Sequence, residues 1–144
     1  MKLFEGRRAA EAALGGERAA AAAIGAVGAR FRLHGREAAS GLDCVGLAAL
    51  AMRAGGYEGA VPTGYRLRGG DLARVAKVLR DGLVPADGRE AGDLLLFAPG
   101  PGQVHLAVRT ARGFVHADGG LGRVAERPGA DPWPLLAAWR LREG

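Results

Sequence analysis

From Asp93 onward the apolar residues stop recurring at helical spacing and begin to alternate in twos, and this change constrains the fold more than anything else in the chain. Five short runs follow: Asp93–Ala98, Gln103–Arg109, Gly113–Asp118, Gly122–Glu126 and Ala137–Arg142. Pro99, Gly100, Pro101 and Gly102 break them early, and Asp131, Pro132 and Pro134 break them late. Runs joined this tightly predict antiparallel neighbours, while everything before Asp93 reads as helix and loop. The predicted class is α+β, with N-terminal helices packed on a four- to six-stranded antiparallel sheet. At 144 residues the chain reads as one domain over 1–144, large enough to bury a core without staples.

In the helical half, residues 7–29 predict one or two helices, with alanine supplying the propensity and Leu14, Ile24 and Val27 the core contacts. Gly15-Gly16 marks where the two would divide. Glu5, Arg7, Arg8, Glu11, Glu17 and Arg18 interrupt any apolar stretch, so no secretion signal or membrane span is read, and synthesis in the cytoplasm is expected. Further on, Asp71 can cap a helix with Leu72, Val75, Ala76 and Leu79 on one face and Arg74, Lys77 and Arg80 on another, ended by Val84-Pro85. Before it, residues 55–69 form a turn-rich loop expected over a site. There Tyr65, Arg66 and Arg68 either help hold an acidic peptide or belong to a solvated connection.

The chemistry concentrates in two places. Ser40, Gly41, Leu42 and Asp43 read as a turn and helix N-cap, and Cys44 opens the apolar run Val45, Leu47, Ala48, Leu50, Ala51, Met52. A thiol in a first helical turn meets unpaired backbone N–H groups and the positive end of the helix dipole, which favour the nucleophilic thiolate and predict a depressed pKa. The alternative reading is a small hydrophobe filling the core. Cys44 is the only cysteine, so no internal disulfide can form and nothing demands an oxidising compartment.

The second place is residues 102–118, which carry two of the three histidines. Strand alternation puts His105 on the face of Gln103 and Ala107, away from Val104, Leu106 and Val108, and the Cys44 helix is expected on that less apolar histidine face. A two-residue turn at Ala111-Arg112, or a four-residue one at Thr110–Gly113, would set Asp118 opposite His105 and His116 diagonal to it. A turn at Arg109–Arg112 would pair His105 directly with His116. A thiolate, an imidazole that moves the proton and a polar group that orients the imidazole make a cysteine hydrolase site. His116 and Asp118 both remain open for the orienting role, since a carboxylate holds an imidazolium better than a second imidazole does. The histidines lack further ligands at metal-binding spacing, so no metal or other cofactor is expected.

The net charge of +5 comes almost wholly from arginine, Lys2 and Lys77 being the only lysines. The arginines are scattered and no aromatic platform accompanies them, which argues against nucleic acid as a partner; an arginine excess beside so much alanine and glycine is read as biased codon usage more than function, though a basic surface would also suit an anionic cell wall.

The chain resembles the NlpC family of papain-like cysteine peptidases, which cut bacterial peptidoglycan stem peptides, and in particular its compact phage-associated branch. Gly28 to Phe31 followed by Arg32, Leu33, His34, Gly35 and Arg36 is similar to the family's approach to the site, although the family usually has tyrosine where Phe31 stands. Gly41-Leu42-Asp43-Cys44-Val45-Gly46-Leu47 resembles its nucleophile motif, and Ala91-Gly92-Asp93-Leu94-Leu95-Leu96-Phe97 the segment that opens its sheet. Val104-His105-Leu106-Ala107-Val108 resembles its histidine strand and Phe114-Val115-His116-Ala117 the strand of the third polar residue, so that the likeness spans residues 20–142.

The resemblance implies a papain-like fold with Cys44 as nucleophile, His105 as acid and base, and His116 as the orienting group. It implies substrate contacts around Phe31, His34, Asp43 and Tyr65, with His34 at the pocket rim. The substrate would be a stem peptide, commonly cut between D-glutamate and a diamino acid, and the place of action the cell wall. Partners would include phage-tail or gene-transfer-particle proteins. Two rivals are a non-catalytic tail or wall-binding relative, and an amidase or acyltransferase using the same triad.

Overall fold

A computed structural model of the protein describes residues 3–67 and 70–142, with the side chains of the first helix from Ala13 onward. Helices α1 (Leu3–Gly25), α2 (Cys44–Ala54) and α3 (Asp71–Arg80) come first, with a short pair, β1 (Arg36–Glu37) and β2 (Gly41–Leu42), between α1 and α2. Strands β3 (Leu83–Pro85), β4 (Leu94–Phe97), β5 (His105–Arg109), β6 (Gly113–Asp118), β7 (Arg123–Pro128) and β8 (Leu135–Leu141) follow. They form one antiparallel sheet in the order β3-β8-β4-β5-β6-β7. The α+β class, with helices ahead of a six-stranded antiparallel sheet, is as the alternation predicts. Two features go beyond it: β3, a three-residue edge strand at Val84-Pro85, and the β1–β2 pair. Among the described residues no helix is long and apolar enough to cross a membrane.

Helix α1 corrects the expectation for this region twice. It runs without a break through Gly15 and Gly16, and its core contacts come from Ala19, Ala20, Ala23 and Ala26, whereas Leu14, Ile24 and Val27 are 48%, 48% and 45% exposed. Both facts have one cause. A methyl group on Gly15 would sit 2.7 Å from the Gly55 carbonyl oxygen, and one on Gly16 2.6 Å from that of Ala91. The helix lies so close to its neighbours that only glycine and alanine fit between them. Leu14 and Ile24 are turned outward.

The two faces of the sheet are unequal. Leu94, Leu96, Leu106, Val108, Val115, Ala117 and Val124 pack with α1, α2 and α3 into the main core. Leu95, Phe97, Ala107, Phe114 and Ala138 form a smaller cluster on the other face, covered by Trp133 and Leu135. Helix α2 therefore lies on the Leu106/Val108 face, opposite to the expected Ala107 face, because eight of its eleven residues are buried and need the larger apolar surface.

Candidate active site

Asp43 caps α2 as its position predicts: its Oδ1 accepts the backbone N–H of Gly46 at 2.8 Å. Cys44 is the first residue of the helix and only 3% exposed. The N–H groups of Cys44, Val45 and Leu106 all point toward its sulfur and favour thiolate. Burial and the adjacent Asp43 charge act the other way and win, pushing the thiol up to about 12. The depressed thiol expected from the helix terminus is thus corrected, and the resting group is SH.

Leu106 directly follows His105, so its N–H brings the sulfur to the start of β5. That N–H is free to turn there because the β5–β6 ladder ends at Val108 opposite Val115. The same register, with Arg109 opposite Phe114, leaves His116 diagonal to His105, the geometry of the turn at Ala111-Arg112. The two rings meet: His105 Nε2 lies 2.9 Å from His116 Nδ1, with the ring planes at 81°. His105 is pushed down to about 4, first by burial and then by His116, with Asp118 opposing. His116, itself 4% exposed, is lowered by burial and Arg127 against the pull of Asp118. At neutral pH the site holds an uncharged thiol and two uncharged imidazoles.

Trp133, from the loop between β7 and β8, stands 5.9 Å from both imidazole centroids and 5.8 Å from that of Phe114. Its loop is pinned by a two-pronged ion pair, Arg109 Nη1 and Nη2 each donating to Asp131 at 2.8 Å. The tryptophan keeps water off the far side of the histidine pair. Sequence reading missed it, since Pro132 and Pro134 mark that stretch only as a break.

The residues expected at the substrate divide differently. Asp43 is fully buried, and its carboxylate accepts from four protein groups: Gly46 N–H, His34 N–H at 2.8 Å, Arg36 Nη1 at 3.3 Å and the Tyr65 hydroxyl. Tyr65 is 1% exposed and also accepts from Arg36 Nη1 at 2.9 Å, so the structure holds both Asp43 and Tyr65 inside, supporting the start of α2 from behind. His34 adopts φ 62°, which aims its N–H at Asp43, while its exposed ring bonds the Tyr65 carbonyl at 2.7 Å. Arg36, missed by sequence reading, ties these groups to the Pro62 carbonyl. Phe31 is half-buried beside the β6–β7 turn, its N–H bonded to the Gly122 carbonyl at 2.8 Å. Arg66 is exposed and pairs with Asp71, and Arg68 lies outside the described residues. A cleft of about 540 Å³ runs from Leu67, Gly70 and Leu72 past Pro99, Gly102, Gln103 and Val104 to His105.

The half-buried His105 imidazole makes stability depend on pH. Unfolded, His105 takes a proton near its ordinary 6.5, and folded only near 4. Between those values the unfolded chain binds more protons. Stability is therefore full above the ordinary value and falls as pH drops through the folded one, by up to about 3 kcal/mol from this group. Thermal melts at neutral pH and in mild acid should show wild type losing more than His105→Gln, and equal losses would mean that His105 is not buried uncharged.

No family model matches the sequence, and no curated protein does. Solved structures do match. NlpC1 from Trichomonas vaginalis superposes with a TM-score of 0.64 over 88% of this chain at 20% identity, and the chain spans 44% of the length of that protein. The P60 domain of an antigen from M. avium subspecies paratuberculosis superposes with a TM-score of 0.57 at 20% identity, over 91% of this chain and 96% of that one. Helices ahead of a six-stranded antiparallel sheet, with a cysteine opening the central helix, thus give this chain the papain-like α+β fold of NlpC/P60 domains.

Proposed function

We propose that the protein is a cysteine peptidase that hydrolyses amide bonds in peptidoglycan stem peptides, with Cys44 as nucleophile, His105 as acid and base, and His116 orienting His105. The observation that carries this reading is the 2.9 Å contact between His105 and His116, together with a first-turn thiol of α2 whose sulfur reaches the N–H of Leu106, the residue next to His105. A cysteine that merely fills the core gives no reason for an imidazole pair to start on the residue next to the N–H its sulfur meets. The NlpC/P60 fold supports the same reading.

The pKa directions shape the chemistry. With the proton resting on sulfur, His105 removes it as the sulfur attacks the amide carbonyl, rather than starting from a preformed ion pair. His105 then protonates the leaving amine, which departs as the carbonyl carbon–nitrogen bond breaks and leaves a thioester on Cys44. Water, deprotonated by His105, attacks the thioester and frees the acid and the thiol. The Cys44 N–H at the helix start is the candidate donor to the developing oxyanion. The cleft ending at His105 would take the peptide, its walls Leu67, Leu72, Pro99 and Val104 packing on alkyl segments and the Gln103 amide offering hydrogen bonds. Within this proposal the protein acts at the cell wall, and phage-tail or gene-transfer-particle proteins are its partners.

Digestion of purified peptidoglycan tests it. Wild type should release fragments whose masses place new ends within the stem, and Cys44→Ala should release none. One observation favours the non-catalytic relative, the 3% exposure of Cys44. Wall pelleting with the protein but no thiol-dependent release would decide for that reading.

A further inference from the structure

Strand β6 carries one more titratable group on the face of His116. Asp118 stands two residues along, and its Oδ2 lies 4.0 Å from His116 Nε2. Its Oδ1 accepts the backbone N–H groups of Gly120 at 2.8 Å and Leu121 at 3.2 Å. The turn into β7 thus holds one oxygen and leaves the other toward the ring. The two nitrogens of His116 have different neighbours: Nδ1 meets His105, and Nε2 faces a carboxylate.

From this geometry we propose that Asp118 is a positioning residue that sets the tautomers of both histidines, a proposal that rests on reading His105 as the proton acceptor for Cys44. A neutral imidazole carries a single ring proton. A negative charge near Nε2 of His116 favours the proton there, which leaves Nδ1 as an acceptor. His105 must then donate from its Nε2, and its own Nδ1 keeps a lone pair able to take a proton. The reverse arrangement puts the His116 proton on Nδ1 and makes His105 Nε2 the acceptor. The His105 proton is then forced onto Nδ1, and the ring has no free lone pair for the thiol.

Asp118 also opposes the other influences on the pair. Burial and Arg127 of β7 disfavour charge on His116, His116 disfavours it on His105, and Trp133 and Phe114 at the ring faces are uncharged. Asp118 favours charge on both rings, so it stabilises the imidazolium that forms at His105 during attack. His105, His116 and Asp118 form a line across β5 and β6, with the carboxylate at its outer end.

Asparagine at position 118 keeps an oxygen for Gly120 and Leu121 and removes only the charge, which separates a structural role from a positioning one. Ring 15N NMR of the full chain reads the tautomers directly and needs no substrate. Wild type should show both rings protonated at Nε2. Asp118→Asn, and Asp118→Ser as a second variant that keeps a turn acceptor, should shift population toward protonation at Nδ1. In the same variants kcat/KM should fall roughly tenfold or more, less than the roughly 10⁴-fold lost when a directly bonded orienting carboxylate is neutralised in a serine protease because Asp118 acts through His116, with the acid limb of the pH profile displaced. Unchanged tautomers in both variants, or an unchanged rate and pH profile, would overturn the proposal. Absence of any Cys44-dependent hydrolysis in wild type would instead overturn the peptidase reading, and the tautomer shift would still support the role of Asp118.

Discussion

Alanine at His105 should reduce hydrolysis by about six powers of ten, the scale seen when the proton-moving member of a triad is lost. The expectation follows from the resting protonation states. Because burial holds Cys44 as a thiol, the proposed attack has to wait until His105 removes its proton. His116 should behave differently. Its proposed part is to accept from His105 Nε2, so His116→Asn, whose amide oxygen can accept, should keep more activity than His116→Ala. Rates on one peptidoglycan preparation, with melts to exclude unfolding, check the order. Wild-type rates in His105→Ala would remove the triad altogether.

The second large effect is on stability and centres on Asp43. Replacing it with alanine deletes the α2 cap and leaves the Tyr65 hydroxyl and the N–H groups of His34 and Gly46 without their acceptor. It also leaves Arg36, 30% exposed at its side chain, without its buried anion. A lost cap costs about 1 kcal/mol, and unpairing buried partners of a charge brings the total to about 3–5 kcal/mol. Thermal or urea unfolding of Asp43→Ala should show that loss. A change below about 1 kcal/mol, no more than a cap alone, would mean that the network does not hold the nucleophile helix in place.

These effects show why some parts of the molecule are legible in its sequence and others are not. The change of period at Asp93 is local, because alternate residues of a strand face opposite ways whatever else the chain does, and it gives the sheet. The pairing of Val108 with Val115 follows from one tight turn at Ala111-Arg112, so the diagonal approach of His116 to His105 could be read in advance. The cap at Asp43 is equally local.

What escaped depends on distant partners. Ala19 and Ala23 are core and Ile24 is not, because Gly55 and Ala91 come against α1 from elsewhere in the chain. The face on which α2 packs depends on which side of the sheet offers more apolar area. The thiol is raised rather than depressed because burial outweighs three favourable N–H groups, and burial is a property of the whole fold. Trp133 reaches the histidines only because Arg109 pins its loop through Asp131, a pairing that proline-based turn reading does not contain.

As the proposed nucleophile, Cys44 forms a covalent thioester with the acyl half of its substrate. Acid quenching of wild-type protein during turnover of a stem peptide, followed by intact mass and peptide mapping, measures this directly. The expected result is an adduct on Cys44 equal in mass to the acyl fragment less water, absent in Cys44→Ala and discharged over time if the quench is delayed. Turnover with no adduct at any quench time, and the same rate in Cys44→Ala, would contradict it.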